Sequence, residues 1–225
     1  MTKVDKLKNI LIDAWSKETC SPGLRNEWSK ENPSLGQCAV TALIVNDFFG
    51  GKIMRCMASS GSHYYNMIDN ELVDLTEEQF LEEEPLYGDG QERTREYLLG
   101  NEDTKKRYLL LKKNLLETDK MKLIHSETML RNLKEVQKES IKRYLAQFNG
   151  KSNNYIYAAT TSPTFERLLK LQVIIDEYER YVANLKGIGY ITKFGKIAYS
   201  RIDLDYWNNI YDCVNPTAEE LRMSL

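Results

Sequence analysis

At 225 residues the chain is long enough to bury one ample core or two small ones. Its 42% hydrophobic and 28% charged residues are those of an ordinary soluble globular protein, and a net charge of −2 offers no electrostatic case for nucleic acid. No apolar run approaches the ~20 residues that cross a bilayer, and no charged-then-apolar leader opens the chain. The expectation is a cytoplasmic protein without a membrane segment.

The chain opens on an amphipathic helix, with Val4, Leu7, Ile10, Leu11, Ala14 and Trp15 on one face. Cys20 follows in a loop-like stretch and is expected to be exposed. Pro33 and Ser34 then read as the start of a helix that continues as the apolar run 38–49 and stops at Gly50-Gly51. Residues 52–57, 62–68 and 71–75 read as strands, joined by turns at Ser59-Ser60-Gly61 and Asp69-Asn70. Thr76-Glu77-Glu78-Gln79 fits a capping box opening a short helix. The acidic residues from Glu77 to Glu84 read as a solvated helix face, and Tyr87-Gly88-Asp89-Gly90 as a loop. Residues 92–99 and 103–116 read as helices.

Chemistry gathers in the first half. Cys38 falls in or near the first turn of its helix, where unpaired N–H groups and the dipole favour a thiolate. The same N–H groups suit a developing oxyanion, with the Gln37 side chain as a second donor. With Asp69-Asn70 as a two-residue loop, Ile68 faces Glu71 and Tyr65 faces Asp74. His63 then shares a sheet face with Asp74, diagonal to it, while Asn66 points to the other face. Each residue has a plainer reading: Cys38 as a small buried side chain, His63 as a satisfied strand histidine, Asp74 as turn chemistry. Together they form the set that a thiol nucleophile requires.

The four cysteines, at 20, 38, 56 and 213, show no C-x-x-C pair and no nearby histidine at ligand spacing, so neither a zinc site nor another cofactor is expected. Cys56 reads as core, and Cys20 is the competing nucleophile, without helix support. The second half changes character near residues 117–126. A helical stripe from Leu130 to Phe148 ends at Asn149-Gly150, and residues 155–159 read as a short strand. Ser162-Pro163 starts a long tyrosine-bearing helix that Gly187 ends, and residues 188–192 and 197–202 suit a hairpin. Basic residues on that hairpin are a normal solvated edge. The long helix is core or a surface for a protein partner or self-association.

The segment from about Trp15 to Leu115 resembles the YunG-like family of small bacterial proteins. The likeness rests on Trp28, Asn32-Pro33-Ser34, Gly36-Gln37-Cys38-Ala39-Val40-Thr41-Ala42, Gly50-Gly51, Ser62-His63-Tyr64, Asn66, Asp74-Leu75-Thr76 and Thr104-Lys105-Lys106-Arg107-Tyr108. More distantly, Gly36-Gln37-Cys38 with His63 and Asp74-Leu75-Thr76 resembles the transglutaminase-like branch of the papain superfold. Spacings here are shorter than in that branch, and no aromatic follows the cysteine. The resemblance implies a Cys38–His63–Asp74 triad, with Trp28 or Gln37 lining the oxyanion or substrate site.

The expected architecture is α+β: a papain-like or transglutaminase-like thiol domain over residues 1–118, its cysteine helix packed on a small antiparallel sheet, then a mostly helical α+β accessory domain over 119–225. The expected function is a cysteine-dependent amide or acyl hydrolase, or an acyltransferase, acting on a peptide or amide substrate through a thioester. The alternative is a non-catalytic binding protein on the same fold, whose C-terminal domain contacts a partner.

Overall fold

Capping and burial pattern explain the first elements directly. Thr2 and Asp5 form a reciprocal capping box that opens helix α1 (Lys3–Ala14), whose Leu7, Ile10, Leu11 and Ala14 are buried. Helix α2 (Cys38–Phe49) buries Val40, Thr41, Ala42, Leu43, Ile44 and Val45 in succession, the pattern of a helix covered on most sides. The structure is a computed structural model, and it describes residues 1–59, 61–80, 85–147, 163–187 and 216–225.

Four strands form one antiparallel sheet in the order β3-β2-β1-β4: β1 (Lys52–Ala58), β2 (Gly61–Ile68), β3 (Glu71–Val73) and β4 (Gln91–Arg93). Asp69 and Asn70 take φ values of 51° and 67°, the left-handed pair that closes a two-residue hairpin. Ile68 therefore faces Glu71 and Asn66 faces Val73, as the turn residues predict. On the other side of β2, His63 pairs with Cys56. Helix α2 is tied to this sheet by the buried Asn66, whose side chain donates to the Ala42 carbonyl at 3.1 Å. Trp15 at the end of α1 donates its indole N–H to Thr41 Oγ1 at 3.0 Å, also buried. The region is α+β, as expected.

Helices α3 (Arg95–Leu99), α4 (Glu102–Glu117) and α5 (Asp119–Ala146) follow. Two expectations need correction here. Residues 92–99 are not one helix, because Gln91–Arg93 pairs with the open edge of β1 and Thr94 caps α3 afterwards. The stripe expected from residue 130 already begins at Asp119, since no glycine or proline interrupts residues 101–149. Thr118 alone separates α4 from α5, and its Oγ1 accepts the Met121 N–H at 3.2 Å.

The chain divides into two compact units, Met1–Lys122 with Leu225, and Leu123–Ser224. In the second, α6 (Pro163–Leu185) packs Leu171, Ile174 and Ile175 against Met129 and Leu133 of α5, with Tyr178 among the partly buried residues on that cluster. A short α7 (Ala218–Ser224) closes the chain. The strand expected at 155–159, the hairpin at 188–202 and most of the tail lie outside the described residues. Among the described residues no helix is long and apolar enough to cross a membrane.

Candidate functional site

Cys38 is the first residue of α2, and Gln37 occupies the N-cap without a side-chain cap of its own. The helix thus starts later than Pro33-Ser34, which lie in the turns before it. The loop arrives through Gly36 at φ +67°, where a Cβ would fall 2.7 Å from Cys20 Sγ and 2.9 Å from Ser21 Oγ. Only glycine suits both that backbone and that contact. Cys20 is consequently buried rather than exposed, and burial pushes its thiol pKa up. Burial does the same to Cys56 on β1. Cys38 remains half-buried.

His63 is 1% exposed and Asp74 8%. The imidazole Nε2 stands 2.5 Å from Asp74 Oδ2, which also accepts the Tyr87 hydroxyl at 2.8 Å. The other oxygen, Oδ1, accepts the Thr76 N–H at 2.8 Å and the Thr76 hydroxyl at 2.9 Å. Four donors therefore converge on one buried carboxylate. Burial raises the Asp74 pKa, but the histidine partner and the other donors outweigh it and bring it below the usual 3.8.

On His63 burial disfavours the charged ring, yet hydrogen bonds to Asp74 and Cys38, with their charges, lift its pKa from 6.5 to about 9. The ring is walled by Phe80, edge-on at 4.9 Å between centroids, with Tyr65 and Tyr87 further out. Cys38 lies close enough to His63 to help lift its pKa, and His63 and Asp74 meet directly. This is the diagonal relation expected from the Asp69-Asn70 turn.

The two lining residues are differently engaged. Trp28 gives its only donor, the indole N–H, to the Pro33 carbonyl at 3.0 Å, which leaves it no donor for an oxyanion. Gln37 Nε2 donates to the Ser16 carbonyl at 2.9 Å, and its buried Oε1 has no hydrogen-bond partner among the described residues. The second amide hydrogen of Gln37 and the backbone N–H groups at the start of α2 are the other donors there.

Sequence reading missed the supports of the pair. Tyr87 opens a one-turn 3-10 segment (Tyr87–Asp89) that no spacing marks, and only the return of residues 85–90 to the sheet brings its hydroxyl to Asp74. Thr76 and Gln79 read as a capping box, but residues 77–79 form one 3-10 turn without a side-chain cap. Thr76 turns to Asp74, and Gln79 to the Thr76 carbonyl and the His63 ring. Among the described residues, no group of three or more His, Cys, Asp or Glu is placed to hold a metal.

A family model described as YunG protein matches residues 3–120, more than half of the chain. The chain belongs to the YunG family. It is 40% identical over 77 residues to "Uncharacterized protein YunG" of Bacillus subtilis (strain 168). That alignment takes in 34% of this chain and 63% of the relative, so the chain spans under two thirds of that YunG protein. No solved structure matches the chain. Cys38, His63, Asp74, Thr76, Gln79 and Tyr87 all fall inside the YunG-matched segment.

Proposed function

We propose that the YunG segment is a papain-like or transglutaminase-like thiol domain that cleaves or transfers acyl groups of an amide or peptide substrate. The observation that carries this reading is the buried hydrogen bond of His63 Nε2 to Asp74, with the Cys38 side chain near enough to help lift the ring's pKa. A buried imidazole so placed can take the thiol proton as base while the carboxylate stabilises the charge it acquires.

The steps balance in a simple way. The Cys38 sulfur attacks the substrate carbonyl carbon and its proton passes to His63. The tetrahedral intermediate collapses as the C–N bond breaks, and His63 returns the proton to the leaving amine. A thioester remains. Water or a second amine then attacks it, giving a carboxylic acid or a new amide, while His63 takes the proton from the attacking group and returns it to Cys38. No cofactor is required, and the cytoplasmic setting expected from the sequence suits a reduced thiol.

The non-catalytic alternative draws on the engagement of Trp28 and Gln37 with backbone carbonyls, which takes up the Trp28 indole N–H and one of the two Gln37 amide hydrogens. Iodoacetamide labelling of the full chain across pH separates the two. An activated Cys38 alkylates well below pH 8, ahead of Cys20 and Cys56, and His63→Ala abolishes that advantage. Labelling of Cys38 that tracks an ordinary thiol and ignores His63→Ala would favour the binding protein.

A further inference from the structure

Gln79 is a buried polar residue to which the reaction above assigns no part. Its Oε1 accepts the Gly36 N–H at 3.3 Å, its Nε2 donates to the Thr76 carbonyl at 2.9 Å, and the same Nε2 stands 3.4 Å from Nδ1 of His63. The first two contacts decide which end of the amide is nitrogen. Turned over, the amide would set a donor against the Gly36 N–H and an acceptor against the Thr76 carbonyl. The second hydrogen on Nε2 can then point at Nδ1, which accepts it when the ring is neutral and carries its proton on Nε2. The other ring nitrogen faces the Asp74 carboxylate.

We propose that Gln79 is a positioning residue for the Cys38–His63 pair, holding the neutral ring as its Nε2–H tautomer with Nδ1 as the basic nitrogen, and tying that ring to the loop that carries the nucleophile. The inference rests on the thiol reading above. Nε2 is taken by Asp74, so on the thiol reading the Cys38 proton has only Nδ1 to go to, the nitrogen that Gln79 faces. When the thiol proton reaches Nδ1, the Gln79 N–H meets another N–H and its bond is lost. Gln79 thus favours the neutral pair and opposes early proton transfer. Its far end holds Gly36, two positions before Cys38, so one side chain also sets the spacing between nucleophile and base.

Ring nitrogen NMR of His63 in the full chain, alongside the pH profile of Cys38 alkylation, tests this. In the wild type the neutral ring carries its proton on Nε2. Gln79→Ala removes a bond to the neutral form and raises the His63 pKa by about 0.5–1 unit. Gln79→Glu raises it further, because a carboxylate favours the imidazolium. An Nδ1–H tautomer in the wild type overturns the proposal, as do folded variants that both leave the His63 titration unchanged. If neither variant folds, the wild-type tautomer decides alone. Failure of the thiol reading shows separately, as a Cys38 profile indifferent to His63→Ala.

Discussion

Both oxygens of Asp74 are occupied by donors, which makes the residue unusually sensitive to a change of one atom. In Asp74→Asn, Oδ1 keeps the two Thr76 donors and the new amide nitrogen faces His63 and Tyr87. An amide N–H at Nε2 forces the ring proton to Nδ1, the wrong side for accepting from Cys38. We expect Cys38 alkylation near neutral pH to slow about 100-fold or more, while the folded state loses about 1–3 kcal/mol. Equal losses in both, measured by labelling and by urea denaturation, would make Asp74 scaffold.

The same pair governs stability against pH. A histidine whose pKa rises from 6.5 to about 9 on folding stabilises the fold fully below pH 6.5, and that contribution disappears as pH climbs through 9. Asp74, lowered from 3.8, stabilises above that value and ceases to as pH falls through its folded pKa. These are two views of one pairing, not separate contributions. The thermal midpoint should therefore fall between pH 6.5 and 9, and fall less in His63→Gln. Parallel curves for the two proteins would remove His63 from the account.

Among the elements, the loop into α2 is the most tightly constrained. Gly36→Ala must hold an alanine at φ +67° and push its methyl group into Cys20 Sγ and Ser21 Oγ. The left-handed backbone costs about 1–2 kcal/mol and the overpacking adds to it, so urea denaturation should show a loss of about 2–4 kcal/mol. Cys20→Ala in that background should restore the packing share alone. The hairpin was legible because Asp69-Asn70 fixes a two-residue turn and the side-chain period of two then sets every pairing. β4 was not. Gln91–Arg93 carries too short a pattern for any period, and it is a strand because β1 offers an edge.

For the whole molecule, the YunG match ends at residue 120 and the first compact unit at Lys122, with Leu225 added to it. Helix α5 runs through that limit, so no loop near 117–126 invites a protease beyond Thr118. Separability is better tested by truncation. A chain of residues 1–122 should fold by circular dichroism and keep the pH profile of Cys38 alkylation, because every described partner of His63 and Asp74 lies within it. An unfolded fragment would mean that the α5–α6 unit is part of one cooperative whole.

The sequence by itself determined the local features: where Cys38 meets a helix start, where the strands turn, and that His63 and Asp74 share a sheet face. Those follow from residue types acting on their near neighbours, through glycine and proline stops, apolar spacing and left-handed turn residues. Tertiary structure alone decided that Cys20 is buried under Gly36, that the Trp28 and Gln37 donors face backbone carbonyls, and that Tyr87 and Gln79 reach the pair. These contacts join residues whose separation in the chain carries no periodic signal. A buried polar atom must find a partner wherever the packed core leaves one, and that choice is made only when the elements come together.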